Sequence, residues 1–144
     1  MSFNYAKTGP NFSPAYQSSG VPFITSSAAN EVPINTGTPV KVEFPFVTRF
    51  FQIENTDNNG KLRVGFSLHG VKPAVGQTIN YFVVDTNSKS NVYEIRTKDL
   101  FFLGDDGTNP TSFRVNAGLT TIARKEFPTL TGSIAGTAAF EGVG

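Results

Sequence analysis

The chain has no cysteine and no tryptophan, and only one histidine and one methionine. Without cysteine there is no disulfide framework, no thiolate metal ligand and no thiol nucleophile. One histidine cannot build a zinc site. His69 stands on the polar side of a strand, next to Gly70, and the sequence names no partner to orient its ring as a general base; it reads as a surface residue. No apolar run approaches the ~20 residues that cross a bilayer. The 12 basic and 11 acidic residues are scattered and give a net charge of +1. No basic run points to nucleic acid or to an anionic membrane. The opening Met1–Lys7 carries neither the basic nor the apolar block of a signal peptide.

What the chain does have is phenylalanine, 14 in 144 residues. Phenylalanine offers large buried area without a polar tip to satisfy, which suits a thin β core and dry contacts between subunits. The first 36 residues differ from the rest. Residues 1–36 show no strand or helix period. They hold Pro10, Pro14, Pro22 and Pro33 and only two charges, Lys7 and Glu31. A residue before proline is driven out of the helical region into extended geometry. A solvated tail is rich in charge and poor in aromatics; this segment carries Phe3, Tyr5, Phe12, Tyr16, Val21, Phe23 and Ile24. The expectation is an extended N-terminal arm over 1–36, ordered mainly by contacts with neighbouring molecules. Its interface anchors are Phe3, Tyr5, Phe12, Tyr16, Phe23 and Ile24. Ordering its backbone costs about 1–2 kcal/mol per residue, more than apolar anchors supply, so the arm backbone is also expected to pair with strand edges of its partners.

Residues 37–144 read as one β domain. Val40, Val42, Phe44 and Phe46 alternate with Lys41, Glu43 and Pro45, the period of a half-buried strand. A bend near Val47 or Thr48 leads to a second strand with Phe51 and Ile53. Asn55–Gly60 marks a hairpin loop. The return strand places Leu62, Val64, Phe66 and Leu68 on one face and Lys61, Arg63, Gly65, Ser67 and His69 on the other. Tyr81–Val84 reads as a strand covered on both faces. Val92–Thr97 and Asp99–Leu103 read as two strands with a bend between them. Phe113, Val115 and Ala117 open another strand, Leu119–Ala123 follows Gly118, and a last edge strand is predicted near Ile134–Ala138. Lys125–Phe127 has room for one helical turn before Pro128. About eight short strands with frequent turns predict a single antiparallel β-sandwich, a jelly roll first and an immunoglobulin-like sandwich second.

The chemistry-bearing residues form no constellation. Asp57–Gly60 and Asp105–Gly107 are the nearest approaches to a calcium loop, and both read more simply as turns. The acidic residues fall in turns or on outward strand positions, and no pair is singled out for acid–base work. There is no phosphate-cradling glycine loop and no nucleophile elbow. No catalytic residue, cofactor or metal is expected, and the chain reads as a non-enzyme. Phe50-Phe51 and Phe101-Phe102 bear on its surface: adjacent strand residues face opposite ways, so one ring of each pair points away from the core. The alternative function is a carbohydrate- or receptor-binding sandwich of a virus or phage, which would need a concentrated patch of exposed aromatics, whereas the aromatics here are scattered over arm and strands and include no tryptophan.

The stretch Pro14-Ala15-Tyr16-Gln17-Ser18-Ser19-Gly20-Val21-Pro22-Phe23-Ile24-Thr25, followed by a small β-sandwich, resembles minor capsid proteins of large icosahedral double-stranded DNA viruses, the chlorella viruses and their nucleocytoplasmic relatives. The resemblance implies a single jelly-roll protein of the virion that lies beneath or between capsomers and cements them. It implies the major capsid protein and other minor capsid proteins as partners, with self-association on the capsid lattice. Assembly would take place in the host cell interior, with neither nucleic acid nor a transmembrane segment involved.

Overall fold

The computed structural model describes residues 20–76, 79–130 and 143. In chain order the elements are β1 (Val21–Ser26), β2 (Val40–Glu43), β3 (Phe46–Asn55), β4 (Leu62–Gly65), a one-turn helix α1 (Leu68–Val71), β5 (Tyr81–Val84), β6 (Asp99–Gly104) and β7 (Phe113–Ala123), followed by a 3-10 turn over Arg124–Glu126. They make two antiparallel sheets, one in the order β1-β7-β3 and one in the order β2-β6-β4-β5.

One apolar cluster joins the sheets. Phe51 and Ile53 of β3 and Val115, Ala117 and Leu119 of β7 meet Leu62 and Val64 of β4 and Leu100 and Phe102 of β6. The alternation of these strands sets the register: Leu62↔Gly104 and Val64↔Phe102 face the shared core, while Arg63↔Leu103 lies on the other face of the sheet, where Leu103 is also fully buried. The all-β expectation therefore holds, as an arrangement of two open sheets around a shared core. Each phenylalanine pair splits as strand geometry requires: Phe51 and Phe102 are fully buried, and Phe50 and Phe101 are half-exposed.

Several local expectations fail. Residues 1–36 show no strand period, yet Val21–Ser26 is a strand of the three-stranded sheet. Val21, Phe23 and Thr25 face inward, and the Phe23 ring meets Phe44 edge-on at 5.2 Å. Pro22 and the polar Thr25 hide this period in the sequence. Val32, also in the expected arm, is fully buried and exchanges two backbone hydrogen bonds with Thr111, each 3.0 Å. From Gly20 onward the expected arm is thus built into the body.

The loop after Asn55 is not a hairpin. It crosses from β3 in one sheet to β4 in the other, tightened by the Asn59 and Gly60 N–H groups, which donate to Asp57 Oδ2 at 2.8 and 2.7 Å. Gly60 is needed there because a Cβ would stand 2.9 Å from the Asn109 carbonyl oxygen. The return strand stops at Gly65. The Ser67 side chain then accepts the Gly70 N–H and caps α1, which leaves Leu68 exposed. β5 is an edge strand and not a doubly covered one, and its Val83 is 43% exposed. Val92–Thr97 is not a strand; only Tyr93 bridges to Phe51, and Val92 and Ile95 face solvent. Here Thr48 replaces the regular ladder. Its hydroxyl donates to the Ile95 carbonyl at 2.8 Å and accepts the Thr97 N–H at 3.0 Å, beside the register shifts of β3. The strand predicted near Ile134–Ala138 lies outside the described residues.

Candidate interaction surface

The outward face of the three-stranded sheet is ordered in rows. Pro22, Gly118 and Phe50 form one row, Ile24, Asn116 and Gln52 the next, and Ser26, Arg114 and Glu54 the third. Ile24, Asn116 and Gln52 of the middle row, Arg114 and Glu54 of the lower row, and Lys89 line an open groove of about 210 Å³. Arg114 Nη1 donates to Glu54 Oε2 at 3.3 Å, an exposed pair of little energetic weight. Gln52 Nε2 donates to the Ser90 carbonyl at 3.0 Å. The side chains of Lys89 and Asn116 make no hydrogen bond among the described residues. Ile24, 69% exposed, forms the apolar rim.

The two edges of this sheet differ. Along the outer edge of β3, residues 88–97 supply partners: Phe51 and Tyr93 exchange backbone bonds of 3.0 and 2.9 Å, and Ser90 N–H donates to the Ile53 carbonyl at 2.7 Å. Beside β1, no strand lies on the outer edge among the described residues. Ser27 N–H donates to the Phe113 carbonyl. Opposed residues in an antiparallel ladder alternate between bonded and non-bonded pairs. Val21, Phe23 and Thr25 therefore bond to β7, and the backbone groups of Pro22, Ile24 and Ser26 point to the free edge. Pro22 has no N–H to offer there, as expected of an edge proline.

Of the expected arm anchors, Phe23 packs on the chain's own core and Ile24 stands in solvent beside this edge. Phe3, Tyr5, Phe12 and Tyr16 lie outside the described residues. The row partners Asn116, Gln52, Arg114 and Lys89 were missed by sequence reading. Their one signal is outward parity beside buried Val115, Phe51 and Ile53, and any surface strand gives the same signal.

Elsewhere the acidic residues do structural work. Asp106 closes its turn by accepting the Thr108 N–H and hydroxyl, each at 2.9 Å, and the Asn109 amide at 2.8 Å, and these bonds, the Asn109 bond foremost, hold its carboxyl below the ordinary value. Asp99 pairs with Arg124 Nη2 at 2.8 Å, and Arg124 Nη1 also donates to the Phe44 carbonyl at 2.8 Å. Arg63 pairs with Asp105 at 2.8 Å while its guanidinium stacks on Tyr81 at 4.4 Å. Among the described residues no three histidine, cysteine or acidic side chains gather as metal ligands, and no helix is long and apolar enough to cross a membrane. No protein-family model, no curated protein and no solved structure matches this chain.

Proposed function

We propose that this protein is a structural component of an icosahedral virion: a jelly-roll minor capsid protein that cements neighbouring capsid proteins. The pairing scheme supports the jelly roll. β1 pairs with β7, β2 with β6, β4 with β5, and β3 with the segment around Tyr93. First pairs with last and the pairing runs inward, as when one long antiparallel hairpin is rolled into two layers. Viral capsid and lectin domains use this architecture.

The observation that carries the assembly role is positional. Gly20 N–H donates to the Leu119 carbonyl at the β1 end of the sheet, beyond which no strand lies among the described residues. Phe3, Tyr5, Phe12 and Tyr16 precede it in the chain and would serve as anchors on a neighbouring subunit. Apolar anchors of this size are each worth roughly 1.5–3 kcal/mol when fully buried, and repetition on a lattice adds avidity.

The test compares purified particles with the isolated protein. The chain is expected in particles at a fixed ratio to the major capsid protein, with residues 1–19 shielded there from a protease that trims them quickly from the dilute monomer. Its absence from particles, or equal resistance of those residues in the monomer, overturns the proposal.

The groove beside Ile24 favours a second reading, a glycan-binding jelly roll. Gln52, Glu54, Lys89, Arg114 and Asn116 offer donors and acceptors on one open face. Binding on a glycan array that survives removal of residues 1–19 and is abolished by Arg114→Ala supports this reading over the first.

A further inference from the structure

We infer that β1 is a self-complementary edge that pairs with β1 of a second copy about a two-fold axis at Ile24. The inference rests on the geometry of the edge and holds whether or not the protein belongs to a virion.

Three edges are open among the described residues: β1, β2 and β5. Natural edge strands avoid self-pairing by being short, by carrying charge, or by twisting away. β2 is four residues long and carries Lys41 and Glu43. β5 is four residues long and runs into Asp85. β1 is six residues long, Val-Pro-Phe-Ile-Thr-Ser, with no charge on it. Its one protective feature is Pro22, which removes a single donor.

The exposed Ile24 selects the register. On the free edge β1 presents the carbonyls of Pro22, Ile24 and Ser26 but the N–H groups of Ile24 and Ser26 only, a direct consequence of the parity set by the Ser27–Phe113 bond. With Ile24 opposite Ile24 of the second copy, each Ile24 N–H meets the other's Ile24 carbonyl. Each Ser26 N–H then meets the other copy's Pro22 carbonyl. Every free donor on both edges is used, and the missing Pro22 N–H leaves only the Ser26 carbonyl to water. A shift by two residues, with Ile24 opposite Ser26, uses the same four donors but sets each exposed Ile24 beside a serine and leaves both in water. The two exposed Ile24 side chains come to lie side by side on one face of a continuous six-stranded sheet, in the order β3-β7-β1-β1-β7-β3. A two-fold contact of this kind closes on itself and gives a dimer, not a fibre.

The absence of cysteine allows a clean test on the full chain. Opposed residues in a bonded antiparallel pair have Cα atoms about 5.5 Å apart, within disulfide reach. Ile24→Cys under mild oxidation is expected to give a disulfide-linked dimer several-fold faster than Val83→Cys on the β5 edge. Sedimentation of the unaltered chain is expected to show a concentration-dependent monomer–dimer equilibrium. Ile24→Pro removes a donor that faces the free edge together with the exposed Ile24 side chain, neither of which serves the chain's own core, so it is expected to raise the dissociation constant at least tenfold while leaving the circular dichroism spectrum unchanged. A full chain that stays monomeric at all concentrations overturns the inference. So does cross-linking at Ile24 no faster than at Val83, or a dimer undiminished by Ile24→Pro. A monomer in which the Ile24 amide is protected from hydrogen exchange overturns it too, since the chain's own leader then occupies the edge.

Discussion

The Thr111 hydroxyl stands 3.0 Å from the Asn55 side-chain oxygen, and neither residue has any exposed surface. The same Asn55 oxygen accepts the Asp57 N–H at 3.0 Å, and the Asn55 amide donates to the carbonyls of Gly60 at 2.8 Å and Val84 at 3.2 Å. One side chain thereby ties the end of β3, the crossing loop, the end of β5 and the approach to β7. Buried polar groups left without partners cost about 1–3 kcal/mol each. Asn55→Ala is expected to lower stability by about 3 kcal/mol or more in urea unfolding. Asn55→Asp is expected to be at least as harmful, because a carboxylate cannot donate to either carbonyl and loses its hydration. A loss below about 1 kcal/mol for Asn55→Ala would mean that water takes over these bonds.

The sheets are held to one another by ring stacking as well as by aliphatic packing. Phe102 of β6 and Phe113 of β7 lie face to face, with centroids 4.1 Å apart and planes within 9°. Phe102→Ala is expected to cost about 3–5 kcal/mol and Phe102→Leu about 1–2 kcal/mol. Thermal unfolding of both variants checks the order; equal losses would show that ring stacking adds nothing beyond apolar volume.

Gly70 is squeezed between backbone atoms. A Cβ there would run into the Val143 carbonyl oxygen and lie 2.8 Å from Ser67 Oγ, which itself donates to that carbonyl at 2.7 Å. Backbone cannot step aside as the tip of a flexible side chain can. Gly70→Ala is expected to release Val143 from α1 and to cost about 1–3 kcal/mol. Faster carboxypeptidase trimming in the variant is the readout, and unchanged trimming would refute the latch.

Acid should weaken the 105–109 turn. Hydrogen bonds from Asn109 and Thr108 hold the Asp106 carboxyl below its ordinary value, which is about 3.9. Depression of a folded-state pKa adds stability that is fully present above the unfolded value and is lost as pH falls through the folded value. Glu43, lowered first by its hydrogen bond from Lys41 and then by the charges of Lys41 and Arg124, acts in the same direction. Asp106→Asn is expected to melt below the unaltered protein at pH 7 and to close much of that gap below about pH 3. A gap of constant size from pH 7 to pH 2.5 would show that the ionised form has no special role.

Those parts of the fold that depend on side-chain parity were legible beforehand. The alternation through Val40 and Val42, Leu62 and Val64, and Phe113 and Val115 marks real strands, and the split of each phenylalanine pair follows from it. Asp57 and Asp106 are turn formers, as read. Reading failed where a strand's period carries polar or proline residues, as in Val21–Ser26. It also failed where a hydroxyl replaces a ladder bond, as Thr48 does beside Ile95, and where a capping serine ends a strand that the apolar pattern would continue, as Ser67 does.

By itself the sequence decided the class of structure and the absence of thiol chemistry. A cysteine count of zero is a local fact that no packing can revise, and the period of two through Val40–Val42, Leu62–Val64 and Phe113–Ala117 carries over into strands. The tertiary structure alone decided which layer each strand joins, that Val21–Ser26 closes one sheet from its edge, and that Asn55 faces inward. These depend on which distant segment offers matching backbone donors and acceptors, as β7 does for β1 and Thr111 does for Asn55. No stretch of sequence carries that information in isolation, because a hydrogen bond is satisfied by a partner in space and not by a neighbour in the chain.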